Sequence, residues 1–135
     1  MSKAAELAAL IANVNKGSSL ANKNFIINGA MNVAQRGTSF SFAHDGTTNA
    51  YTLDKFAFIV SNTDSLDGTV TQATDVPSGE GFANSFKWTT GTAESAVASD
   101  EAMYIEHKVE AQNVAGLRYG TSDAKPVTLS FWVKS

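Results

Sequence analysis

From Asn24 onward the apolar residues recur with a period of two, in short β-branched and aromatic runs separated by clusters of Gly, Asn, Asp, Ser and Pro. Alternation of that kind suits half-buried strands and not helices, so it restricts the fold more than any other feature of the chain. It predicts strands over Phe25–Ile27, Ala30–Ala34, Tyr51–Ser61, Gly68–Thr74, Asn84–Thr89, Ala102–Val109 and Pro126–Lys134, with loops over 62–67, 75–82, 90–100 and 111–125. Strands at this spacing predict an antiparallel sandwich or barrel. The last run is the clearest. In "VTLSFWVK", Val127, Leu129, Phe131 and Val133 share one face, and Thr128, Ser130, Trp132 and Lys134 share the other. Because a core-type strand runs directly to Ser135, the chain is expected to be the N-terminal portion of a longer polypeptide.

The first residues follow another rule. Ser2 to Val14 reads as a helix, with Ser2 as N-cap, Glu6 favouring the positive start and Lys16-Gly17 as the stop. Leu7, Leu10, Ile11 and Val14 fall at i, i+3, i+4 and i+7 and give it one apolar face. So short a helix is marginal alone and needs a surface to pack on. That surface is either its own core or another chain, since "NKGSSLANKN" (15–24) reads as a polar linker that lets the helix stand apart. The expected division is an attachment or oligomerisation helix over 1–16, a linker over 17–24 and a β-domain over 25–135.

Composition narrows the partners. A formal net charge of −3, with Lys and Arg scattered, leaves no footprint for nucleic acid or an anionic membrane surface. The chain has no cysteine, which removes disulfides and thiolate metal sites. No apolar run approaches the ~20 residues that span a bilayer, so no membrane insertion is expected.

Chemistry is poorly represented. His44 and His107 are the only histidines, and no His-x-x-x-His or Glu-x-x-His spacing occurs. His107 alternates with Met103, Ile105 and Val109, the setting of an inward-facing or strand-end histidine. The serines lack a nucleophile elbow, and "SGEGFANS" lacks the Lys-Ser/Thr of a phosphate loop. Asp64, Asp67, Asp75, Glu80, Asp100 and Glu101 fall in loops, where carboxylates are ordinarily solvated. The expectation is a protein that is not an enzyme, with no metal and no cofactor. Binding has better clues: Trp132 lies on the polar side of its strand, and Tyr104 alternates with Glu106 and Lys108. Such aromatics suit sugar stacking, a subunit interface or burial under a second sheet.

Asn28-Gly29 between apolar residues is a type I′ hairpin signal. In "NFIINGAMNVAQRGTSF" (24–40), followed by "YTLDKF" (51–56), it opens a string that resembles a family of bacteriophage tail-fibre and virion appendage proteins. "QATDVPSGEGFANSFKW", "IEHKVEAQNV" and "GTSDAKPVTLSFWVKS" continue the likeness over nearly the whole chain. Departures include Ala34 where the family has Trp, and Lys55-Phe56 where it has Arg-Trp. The family is similar to carbohydrate-binding jelly-roll modules, so the resemblance implies a mainly β, antiparallel jelly-roll-like sandwich preceded by a short amphipathic helix. It implies a structural subunit of a virion, in a tail fibre or similar appendage, attached to tail or capsid proteins through Leu7, Leu10, Ile11 and Val14. A homotrimer and adhesion to a host-surface glycan are implied, with Tyr104 and Trp132 as glycan or subunit contacts. A capsid-decorating head fibre and a free-standing carbohydrate-binding module are the alternatives. Asn28, Gly29, Arg36, Gly37 and Asp54 are expected to form a structural corner in which Arg36 pairs with Asp54 and Gly37 takes a backbone conformation that a Cβ forbids.

Overall fold

A computed structural model of the chain describes residues 3–6, 24–43 and 46–135. They divide into two compact units, Met1–Phe25 with Val109–Leu129, and Ile26–Lys108 with Ser130–Ser135. In the first, residues 3–6 are helical and exposed. Leu7, Leu10, Ile11, Val14 and the linker up to Lys23 lie outside the described residues. The sequence predicts a loop over 111–125, but the segment holds a short helix, α1 (Ala111–Val114), and a 3-10 turn (Ala115–Leu117). Arg118 ends that turn at φ 54, and the Lys125 amide donates to the Leu117 carbonyl at 2.9 Å.

The second unit is a sandwich of two three-stranded antiparallel sheets. Its strands are β1 (Ser39–Phe42), β2 (Gly46–Tyr51), β3 (Phe56–Thr63), β4 (Gly68–Ala73), β5 (Ser85–Thr90) and β6 (Ala102–His107). One sheet has the order β1-β4-β5 and the other β2-β3-β6. Register explains the core. Phe40 pairs with Val70 and Val70 with Trp88, so all three point inward from the first sheet. Phe58 and Val60 answer from β3. The Phe58 ring stacks on Trp88 at 4.7 Å between centroids and meets Phe42 edge-on at 4.8 Å.

The sequence reading needs several corrections. Residues 25–27 and 30–34 are not strands, and Asn28-Gly29 does not close a type I′ hairpin. That turn needs φ > 0 at both central residues, whereas Asn28 (φ 60) and Met31 (φ 56) take that conformation and Gly29 does not. The expected strand Tyr51–Ser61 is broken by a tight turn. The Thr52 amide donates to the Phe56 carbonyl and the Phe56 amide to Leu53, with Lys55 at φ 71. Residues 126–134 alternate cleanly yet form no ladder, because alternation chooses a face and does not supply a partner strand.

Candidate functional site

Residues 27–35 form a corner fastened almost entirely through the backbone. Asn28 Nδ2 donates to the carbonyls of Val33 and Asp54, each at 2.9 Å, while its Oδ1 accepts from the Val33 amide at 2.9 Å. Gln72 on β4 reaches the Met31 carbonyl at 2.6 Å, and the Ile27 amide donates to His107 Nε2 at 3.1 Å. His107 ends β6 with its ring edge-on to Phe56, 5.0 Å away, a structural placement.

The expected Arg36–Asp54 ion pair does not form. Asp54 Oδ2 accepts the Gln35 amide at 2.7 Å, so a backbone donor takes the place of the guanidinium. Arg36 instead lies over the Tyr51 ring, 5.4 Å from its centroid. Gly37 has φ +132, a conformation that suits glycine.

Arg36 therefore belongs to a different place, the outer face of β2-β3-β6. Tyr51 pairs with Ala57 and Ala57 with Glu106; Asn49 pairs with Ile59 and Ile59 with Tyr104. Paired residues project to the same side, so Asn49, Tyr51, Ala57, Ile59, Tyr104 and Glu106 share this face. Ala57 and Ile59 are buried at its centre, while Tyr51 is 49% and Tyr104 48% exposed. Two strand spacings and one pleat repeat put the two tyrosines roughly 12 Å apart at Cα. The Lys108 ammonium stands 2.9 Å from Glu106 Oε1, and this carboxylate raises the Lys108 pKa above the usual lysine value.

Flat aromatic surface, a cation over one ring and an ion pair beside the rings can stack on and hydrogen-bond a polyhydroxylated ligand. The outer face of the other sheet offers only Ser39, Ser41, Thr69, Thr71, Ala73, Ser85, Lys87 and Thr89, by the same register argument, and no aromatic ring. Of the expected contact residues, Tyr104 is on the aromatic face and Trp132 is not a member of either sheet, standing exposed on the unpaired segment. In the sequence Tyr51 reads only as the first residue of the expected strand Tyr51–Ser61. Its signal was the period it shares with Asn49 at the end of β2.

Other features are weaker. A shallow open hollow of 340 Å³ between β1 and β5 contains Asp67, whose carboxylate already holds Thr92 through its amide and its hydroxyl. Among the described residues no group of three or more His, Cys, Asp or Glu could hold a metal ion. No helix among them is long and apolar enough to cross a membrane. No protein-family model, curated protein or solved structure matches the chain.

Proposed function

We propose that this chain is an adhesion subunit of a phage virion, in a tail fibre or similar appendage. The N-terminal stripe Leu7, Leu10, Ile11 and Val14 attaches it to other virion proteins or to sister chains in a trimer. The jelly-roll-like β-domain presents the Tyr51–Tyr104 face to a host-surface glycan. The observation that carries the glycan reading is the pair of half-exposed tyrosines on one sheet face, with Arg36 and the Glu106–Lys108 pair beside them. The virion assignment rests on the motif string from Asn24 to Phe56.

The test is a bacterial-polysaccharide array probed with the chain and with Tyr51→Ala and Tyr104→Ala. Each loss of a stacking ring is expected to weaken binding about 3–10-fold. Binding of no glycan, or equal binding by all three proteins, overturns the adhesion reading. The same tyrosine face also fits a free-standing carbohydrate-binding module. Light scattering with and without residues 1–16 separates the two readings: a trimer that falls to monomer on deletion supports the virion subunit. A monomer in both cases favours the module.

A further inference from the structure

The face that carries Tyr51 and Tyr104 also carries charges that can choose between ligands. Arg36 is exposed, and its guanidinium carbon lies 5.4 Å from the centroid of the Tyr51 ring. A cation–π contact of this kind restrains the group and commits none of its five N–H donors to an oxygen acceptor. No ion pair among the described residues includes Arg36. The carboxylate expected beside it, that of Asp54, accepts the Gln35 amide at 2.7 Å instead.

The remaining charges described on this face cancel. Lys108 follows Tyr104 and Glu106 at alternate positions, and its ammonium stands 2.9 Å from Glu106 Oε1. Glu106 is the main cause of the raised Lys108 pKa, and Tyr51 and Tyr104 act in the same direction, which places the ammonium near both rings. With that pair neutral, Arg36 leaves one positive charge uncompensated beside the tyrosines. The chain as a whole carries a formal net charge of −3 and repels anions, so any anion that binds it has to be drawn by a local charge of this kind.

We propose, on the adhesion reading of this face, that the glycan it receives is acidic: Arg36 holds a carboxylate of a uronic-acid-type sugar while the tyrosine rings carry the apolar faces of sugars in the same polymer. A guanidinium is a planar fork that matches a carboxylate in two parallel hydrogen bonds. The hydroxyls of a neutral sugar also accept from it, but a hydrogen bond to an ionised acceptor is roughly twice as strong. Lys108 does not compete for the carboxylate, because its ammonium is already held by Glu106. The opposite sheet supplies the contrast. Its outer face has a cation, Lys87, without an aromatic ring beside it on that face, so it offers charge but no stacking surface.

The test titrates the chain with bacterial polysaccharides that bear uronic acids, and with the same polymers after chemical reduction of their carboxyl groups to primary alcohols. Reduction removes the charge and leaves the sugar backbone in place. At least one native polymer is expected to bind about tenfold tighter than its reduced form, with a difference that shrinks as sodium chloride is raised. Arg36→Gln is expected to abolish most of that preference, Arg36→Lys to keep part of it, and Lys87→Gln to leave it unchanged, with circular dichroism confirming the fold of each variant. Equal affinity for native and reduced polymers, binding of neutral polysaccharides alone, or an Arg36→Gln variant with the full preference overturns the acidic ligand and leaves glycan adhesion standing. Binding of no polysaccharide at all, acidic or neutral, overturns the adhesion reading and the acidic ligand with it.

Discussion

Asn28 holds Asp54 by its backbone: the Asn28 Nδ2 donates to the Asp54 carbonyl at 2.9 Å, while the Asp54 carboxylate turns to the Gln35 amide at 2.7 Å. The two residues thus join the 27–35 corner to the β2–β3 turn without any ion pair. One amide side chain satisfies two carbonyls and one backbone N–H there, and a part-buried group of that kind is expensive to lose.

Asn28→Ala removes all three bonds and puts a Cβ-bearing aliphatic residue at φ 60. The two effects together are expected to cost about 2–4 kcal/mol in urea unfolding. Asn28→Gly keeps the backbone comfortable and isolates the hydrogen-bond share, about 1–3 kcal/mol. A loss below about 0.5 kcal/mol for the alanine variant would show that the corner does not depend on Asn28.

Arg36→Ala tests the replaced ion pair. Removing a cation from the face of an exposed tyrosine costs about 0.5–1 kcal/mol, whereas removing one partner of a buried ion pair costs 3–5 kcal/mol, roughly. The small value is expected, together with an unchanged effect of Asp54→Asn when the two substitutions are combined. A coupling above about 1 kcal/mol in that double-mutant cycle would restore the Arg36–Asp54 pair.

What could be read in the sequence followed from burial. β3 was legible because Phe56–Val60 are all buried, and β4, β5 and β6 because their apolar residues alternate. β1 and β2 were not, since "SFSF" is short and "GTTNAY" carries little apolar signal. Pairing makes them strands: Phe40 against Val70, and Asn49 to Tyr51 against Ile59 to Ala57. The candidate site divides the same way. Tyr104 showed itself by alternating with Glu106 and Lys108, but Tyr51 read as the start of a continuous strand. Only the β2–β3 register puts it level with Glu106, and only the path of the corner brings Arg36 over its ring.

Acid should loosen the tie between the loops that follow β3 and β5. Glu94 accepts the amides of Asp64 and Ser65 at 3.1 and 2.9 Å, and the Ser65 amide is the main reason its pKa lies below the usual glutamate value. A carboxylate depressed by folding stabilises the fold above its unfolded pKa, and loses that contribution as pH falls through the folded one. The stability difference between wild type and Glu94→Gln is therefore expected to be largest near neutral pH. It should shrink as pH drops below the ordinary glutamate range, as read by urea midpoints at several pH values. A difference that is constant or grows on acidification contradicts the tie.

Gly68 is the position where the least added matter should do the most damage. It sits between Phe42 and Thr90 in the register, and a Cβ there would overlap the Thr89 carbonyl oxygen and the ring of Trp88. The ring has little freedom to retreat. It stacks on Phe58, meets Phe42 edge-on at 6.2 Å, and its Nε1 donates to Thr90 Oγ1 at 2.9 Å. Backbone on one side and a packed aromatic on the other leave displacement of the indole as the remaining response. Gly68→Ala is expected to destabilise by about 1–3 kcal/mol, the range for overpacked cores. In a Trp132→Phe background, where Trp88 is the only tryptophan left, its emission should also shift to the red as the ring moves toward water. An alanine variant of wild-type stability and unchanged emission would mean that the indole does not close over Gly68 in solution.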